Sequence, residues 1–334
     1  MINIGINGLG RIGRHVFKCI ADEYSDKIEV TAVNDLAPAS TCAHLLKHDS
    51  IYGTWQNKIF SDEENLILNN KKIRKFSNSK PSDIDWSSAA VDIVVESTGR
   101  FRKYEDLSSH MNGSVKKVVV SAPAKGEDVT LVPGVNLDWY DPLKHSIVSS
   151  ASCTTNCVAQ IIRHINDGFG IKLCSFITVH AYSNDQCIID QPHSDLRRSR
   201  ALAFNIIPTT TGASAAVEKV LPQLKGKIMA GAYRVPVHCG SLVDCTFILE
   251  KKTDTKEVND YLKQQTLSEN GKYMSFCDEP LVSADFCADS HSCIVDGMLT
   301  EVKGEAARIT GWYDNEWSYS LRVCDVLKHI ALSL

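Results

Sequence analysis

The chain has 334 residues, enough for two domains with separate hydrophobic cores. Its formal net charge of −4 leaves no basic surplus for nucleic acid or an anionic membrane as the main partner. No apolar run reaches membrane-spanning length and no signal-peptide pattern opens the chain; with twelve cysteines scattered through apolar stretches, the expectation is a cytoplasmic protein with reduced thiols.

Ile2–Asn7 reads as a strand. It runs into Gly8-Leu9-Gly10-Arg11-Ile12-Gly13 and then a helix from Arg14 to Ile20. This is a G-x-G-x-x-G turn between strand and helix. Gly8 permits the tight turn, Gly10 admits a pyrophosphate close to the backbone, and Gly13 lets helix and strand pack. The phosphates would then sit at the helix N-terminus. A second strand, Ile28–Val33, ends in Asn34-Asp35. Asp35 stands where an acid reads the cofactor ribose; the alternative is a turn or cap residue. Thr41–Leu46 has helical character, and residues 54–80 are polar and hairpin-like. Val91–Glu96 and Lys117–Val120 are buried-strand candidates ending in small residues. Such strands between helices predict a parallel, doubly wound sheet. Thr98, Gly99 and Ser121 then become cofactor neighbours, or ordinary strand-end turns.

Ser146-Ile147-Val148 is a short strand, and Val158–Ile165 carries apolar residues at helical spacing. Between them lies Ser149-Ser150-Ala151-Ser152-Cys153-Thr154-Thr155-Asn156-Cys157. Thr154, Thr155 and Asn156 are helix-start residues, so Cys153 is expected where a strand hands over to a helix N-terminus. Amide N–H groups and the helix dipole there favour a thiolate, the reactive form of cysteine. The alternative is a buried structural cysteine. Cys157, one turn on, is expected on the same side; no second ligand pair follows, so no metal is expected.

Beyond this helix the texture changes. Ser175–His180 is a strand ending in histidine. A long loop, 181–208, holds the basic cluster Asp195-Leu196-Arg197-Arg198-Ser199-Arg200, which by itself also fits a solvated surface run. Pro208-Thr209-Thr210-Thr211-Gly212-Ala213 opens a helix over Ser214–Leu221, a start suited to an anion. Strands follow at Ile228–Val235, Leu242–Leu249 and Ala306–Trp312, with few helices between, so the second domain is expected to be α+β. The last helix is Trp317–Leu332, with Leu321, Cys324, Leu327 and Ile330 at helical spacing.

Four stretches together carry a resemblance: Asn7-Gly8-Leu9-Gly10-Arg11-Ile12-Gly13-Arg14, Ala151–Cys157, Asp195-Leu196-Arg197-Arg198 and Trp312-Tyr313-Asp314-Asn315-Glu316-Trp317. From end to end, and in this order, the chain resembles phosphorylating glyceraldehyde-3-phosphate dehydrogenases. The resemblance implies an α/β fold: a Rossmann-type doubly wound parallel sheet over residues 1–150, completed by a C-terminal helix at 316–334. It implies a catalytic α+β domain with a mostly antiparallel sheet over 151–315, NAD as cofactor, and a homotetramer. Cys153 is then the nucleophile and His180 its base. Ser183, Asp185 and Arg234 hold the substrate phosphate, and Arg198, Thr211 and Gly212 hold inorganic phosphate, with Ser152 and Thr154 beside them. Gly8, Gly10, Arg11, Ile12, Gly13, Asp35, Thr98, Gly99, Ser121 and Asn315 contact the cofactor, Asn315 at the nicotinamide amide. Pro192 matches the NAD-type loop.

The chain also departs from that family. Leu9 stands for a usual phenylalanine, and Ser183 for a threonine. Val237-His238-Cys239-Gly240 replaces a common Thr-Pro-Asn-Val. Phe76-Ser77-Asn78-Ser79-Lys80-Pro81 lacks the usual Arg-Asp-Pro on the adenine side. Two rival readings stand beside the leading one: an erythrose-4-phosphate dehydrogenase, and a non-catalytic NAD-binding protein of the same fold. The retained Cys153, His180, Arg198 and Arg234 argue against the second.

Overall fold

Isoleucines and valines on both faces of the first strands create a sheet that needs cover on two sides. The computed structural model describes residues 1–334, Asn270 by its backbone alone. In chain order the first elements are β1 (Ile2–Asn7), α1 (Arg11–Cys19), β2 (Ile28–Asn34), α2 (Ala39–Lys47) and a small β3–β4 ladder (His48–Asp49, Gly53–Thr54). Then come β5 (Ile59–Ser61), β6 (Asn65–Leu68), β7 (Lys71–Phe76), β8 (Ile93–Glu96), α3 (Tyr104–Ser108), β9 (Lys117–Val120), β10 (Val129–Thr130) and β11 (Ile147–Ser149). The sheet order is β10-β11-β9-β8-β1-β2-β7-β6-β5. Pairings from β10 across to β7 are parallel, and β7-β6-β5 closes the edge as an antiparallel meander. Neighbouring residues such as Val94, Val95, Val118 and Val119 are all fully buried, as expected for a sheet covered on both faces. The chain crosses from β2 and β7 on one side of β1 to β8 on the other. That makes the carboxyl ends of β1 and β8 a topological switch point, where ligands bind in such sheets.

The second sheet follows α4 (Cys153–Phe169). Its strands are β12 (Ile171–Ala181), β13 (Ile207–Thr209), β14 (Ile228–Val235), β15 (Ser241–Leu249), β16 (Met274–Cys277), β17 (Cys293–Lys303) and β18 (Ala306–Tyr313). They order as β13-β14-β12-β15-β18-β17-β16, antiparallel except for β12–β14 and β16–β17. Helices α5 (Ala213–Val220) and α6 (Thr255–Thr266) lie between strands in sequence, and α7 (Trp317–Ala331) ends the chain. α4 packs Val158, Ile161, Ile162 and Ile165, all buried, on one face of this sheet. Gly311 permits the approach, because a Cβ there would stand 2.7 Å from the Ile161 Cδ1. Each such buried side chain contributes about 1.5–3 kcal/mol. α6, β16 and β17 are absent from the sequence reading. An irregularity between Asp296 and Glu301 breaks the alternation of β17, which hid its period.

Met1–Ala151 and Ser320–Leu334 make one compact unit, and Ser152–Tyr319 the other. The last helix joins the first unit through buried Leu321, Leu327 and Ile330, with Tyr24 donating to Asp325 Oδ1 at 2.9 Å. No helix among the described residues is long and apolar enough to cross a membrane.

Candidate active site and cofactor cleft

At the switch point the β1–α1 turn lines a cleft of about 290 Å³. Gly8 has φ +93, and a Cβ there would lie 2.8 Å from the Thr98 nitrogen. A Cβ on Gly13 would meet the Gly8 carbonyl at 1.9 Å, whereas nothing lies within 4 Å of one on Gly10. The first and third glycines are thus closed by protein packing, and the second is open to a ligand. Asp35 accepts from the Leu9 N–H at 2.8 Å and the Ala37 N–H at 2.9 Å, which fixes its carboxylate on the cleft wall. Thr98 donates its hydroxyl to buried Glu96 at 2.5 Å, and Ser121 Oγ donates to the Glu96 carbonyl at 3.1 Å. Arg11 is held by Asp49 at 2.7 Å. An open glycine at a helix start, sharing a cleft with a fixed carboxylate, suits a dinucleotide.

In the second unit, α4 begins at Cys153 itself. Ser152 is the N-cap, its Oγ accepting from Thr155 N–H at 3.1 Å, so the cap lies one residue before Cys153 and not among Thr154–Asn156 as expected from sequence. Ala151, at φ 58, makes the turn into the helix in a conformation costly for a residue with a Cβ. Cys153 Sγ lies 3.3 Å from His180 Nε2. His180 ends β12, and in the parallel register its partner on β14 is Arg234. That register brings Arg234 Nη1 to 2.5 Å from His180 Nδ1 and 2.9 Å from the Ala181 carbonyl, which also lies 2.6 Å from Nδ1. With Nδ1 donating to Ala181, Nε2 faces the sulfur as an acceptor; with Nδ1 accepting from Arg234, Nε2 faces it as a donor. The site accommodates both halves of a proton transfer.

The charges are not those of a resting imidazolium–thiolate pair. Burial, then the Arg234 guanidinium, pushes His180 down to about 3, so the imidazole is neutral at physiological pH. Burial raises the Cys153 thiol; Arg234 draws it down most strongly, followed by the Thr154 N–H at the helix start. Arg234 is therefore the cation that favours the thiolate.

The phosphate candidates gather in the loop after β12. Asp185 is ion-paired with Arg198, whose Nη2 also donates to the Thr210 carbonyl at 3.3 Å. Ser183 donates its N–H and hydroxyl to Gln186 Oε1 at 2.8 and 3.1 Å. Thr211 Oγ1 accepts from Ala213 N–H at 3.1 Å, and Gly212 is the exposed N-cap of α5. Arg198 lies close enough to Arg234 to disfavour its charge, which a bound dianion would relieve. Residues 152–315 match the family described as glyceraldehyde 3-phosphate dehydrogenase, C-terminal domain, and residues 2–104 match its NAD binding domain.

The chain belongs to the glyceraldehyde-3-phosphate dehydrogenase family.

Glyceraldehyde-3-phosphate dehydrogenase 2 of Streptomyces avermitilis is 48% identical over 326 residues, 97% of either chain. The enzyme of Geobacillus stearothermophilus is 47% identical, and glyceraldehyde-3-phosphate dehydrogenase 1 of Bacillus cereus 46%. Both alignments span 331 residues, 99% of this chain and 98% of the relative. The chain is an NAD-dependent oxidoreductase of this family.

Several site features were not legible as such. Tyr313 lies in a motif of the family, but its placement comes from β18. Its hydroxyl is 2.9 Å from both Thr154 Oγ1 and Thr178 Oγ1, and its ring stands edge-on to His180. At the cofactor cleft, Asn34 accepts from Asn78 N–H at 2.8 Å and donates to the Asn78 carbonyl at 2.9 Å. The stretch lacking the family's Arg-Asp-Pro is thus pinned by backbone contacts, with Asn78 and Ser79 on the wall. Asn315 is buried and accepts from Ser241 Oγ at 2.9 Å. Among the described residues no three His, Cys, Asp or Glu side chains converge on a metal site.

Proposed function

We propose that this chain catalyses the NAD-dependent oxidative phosphorylation of D-glyceraldehyde 3-phosphate to 1,3-bisphosphoglycerate, with Cys153 as nucleophile and His180 as base. The observation that carries the reading is the Sγ–Nε2 separation of 3.3 Å, with Arg234 bound to the far side of the ring. An aldehyde has no good leaving group. Addition of the Cys153 thiol across the carbonyl, its proton passing through His180 Nε2 to the oxygen, gives a hemithioacetal, and oxidation of that to the thioester releases the hydroxyl proton to His180 Nε2. NAD, when bound, supplies the electron acceptor. The Cys153 N–H and the His180 Nε2–H hold the developing oxyanion. The resulting thioester is opened by inorganic phosphate on Arg198, Thr211 and Gly212, while Arg234, Ser183 and Asp185 hold the substrate phosphate. Following NADH absorbance with glyceraldehyde 3-phosphate and erythrose 4-phosphate, each with and without phosphate, tests this. Faster turnover of the four-carbon sugar, or no phosphate requirement, would overturn it.

The cofactor reading predicts a strong preference for NAD. The Asp35 carboxylate would face the 2′-phosphate of NADP, a like-charge contact that should lower kcat/KM on the order of a hundredfold. Equal efficiency with both cofactors would sink the assignment. At the substrate phosphate, Ser183→Thr keeps the hydroxyl and adds a methyl. It should change kcat/KM by less than about 1.5 kcal/mol in transition-state terms. A loss as large as that of Arg234→Leu would mean that the pocket is built differently.

The same reading includes a cytoplasmic homotetramer. In its support, the sheet face opposite α4 exposes Leu173, Ile177, Met229, Tyr233 and Ile248, on adjacent strands in register. A sheet face with five exposed large apolar side chains is a candidate recognition surface. Ile177→Asp should therefore yield smaller species by size-exclusion chromatography with light scattering. A monomeric parent protein, or an unchanged tetramer in the variant, would refute this.

A further inference from the structure

The stretch Val237-His238-Cys239-Gly240 brings one thiol beside another, that of Cys287. Cys239 is buried, Cys287 is partly exposed, and the two side chains are neighbours. Cys239 Sγ donates to Asp314 Oδ2 at 3.2 Å, and the same oxygen accepts the Ala288 N–H at 2.7 Å. One carboxylate oxygen thus ties Cys239 to the residue after Cys287. The backbones press together as well. A Cβ on Gly240 would stand 2.0 Å from the Ser283 carbonyl oxygen, and Cys287 Sγ lies 3.9 Å from that oxygen. Ala288 holds φ 64, a strained value that its bond to Asp314 maintains.

We propose that Cys239 and Cys287 are a modification site: a dithiol that a hydroperoxide converts to a disulfide, weakening the hold on Asn315. Cys287, the accessible member, attacks a peroxide oxygen. The O–O bond breaks, one water leaves, and Cys287 becomes a sulfenic acid. Cys239 then attacks that sulfur; the S–S bond forms, the S–O bond breaks, and the Cys239 proton leaves with the second water. Two thiols lose two electrons, and hydrogen peroxide is reduced to two waters. An external dithiol reverses the step from the exposed Cys287 side. Burial raises the Cys287 thiol, only partly offset by the neighbouring Cys239 side chain, so the reaction is slow and belongs to sustained oxidation.

The consequence runs through Ser241, two residues beyond Cys239. Its Oγ accepts the Ala181 N–H at 3.0 Å and donates to Asn315 Oδ1 at 2.9 Å. Disulfide formation withdraws the Cys239 S–H from Asp314 and moves the segment that positions this serine. The coupling to cofactor rests on the reading of Asn315 under the proposed function; the disulfide itself does not.

The test uses the Cys153→Ser chain, which removes the competing thiol, treated with hydrogen peroxide. Peptide mapping without reductant should recover Cys239 joined to Cys287, and dithiothreitol should release them. NAD affinity, read by tryptophan fluorescence, should weaken roughly two- to tenfold, the worth of one hydrogen bond, and recover on reduction. Adding Cys287→Ser should abolish both effects. Sulfinic acid at Cys287 with Cys239 still open to alkylation would overturn the proposal. A disulfide with unchanged NAD affinity would overturn the link to Asn315. The aldehyde assay on the unmodified chain tests the proposed function separately.

Discussion

Cys153→Ser should abolish NADH formation, with kcat/KM falling by about 10⁴-fold or more, because in the proposed mechanism Cys153 alone carries the thioester. The variant stays folded, since serine keeps the position of a partly exposed side chain at the first turn of α4. The corresponding chemical experiment uses a substoichiometric dose of iodoacetamide. Cys153 should take the label first, and activity should fall in proportion. It is partly exposed and lies beside both a base and the Arg234 cation. Cys157 is fully buried, and desolvation with neighbouring Cys293 raises its thiol well above the ordinary value. Burial pushes Cys174 up to about 12 and Cys42 to about 11. Peptide mapping that finds another cysteine labelled first, or activity that survives full labelling of Cys153, would refute the nucleophile.

His180→Asn should lower kcat by roughly 10²–10⁴-fold, the usual worth of a positioned general base. The pH profile distinguishes the charge states. His180 is neutral down to about 3, so its protonation places no limb near pH 6.5. The Cys153 thiol is raised, so its thiolate grows only as pH climbs, and kcat/KM should rise from neutral into the alkaline range. Arg234 is the strongest influence lowering that thiol. Arg234→Leu should therefore move the rising limb to higher pH, in addition to weakening substrate binding. A limb near 6.5 in the parent enzyme that vanishes in His180→Asn would show that an imidazolium–thiolate pair is the resting state after all.

The sequence by itself determined what neighbours along the chain decide. The glycine turn at Gly8–Gly13 and the strand-to-helix placement of Cys153 were legible because turn geometry, helix capping and the end of a helix dipole are local properties. The parallel character of the first sheet was legible because buried strands carry unbroken apolar runs. The capping residue itself was not legible, since Ser152 and Thr154 are both plausible caps and only the backbone selects Ser152. Tertiary structure alone decided the rest. Cys153 meets His180 across 27 residues, and His180 meets Arg234 across 54, through the register of β12 on β14. Tyr313 reaches Thr154 across 159 residues by way of β18. Protonation followed the same division: the helix N-terminus could be foreseen, but burial of the imidazole and the proximity of a guanidinium could not. Desolvation and Coulomb energy depend on distances in space, which composition and spacing do not contain.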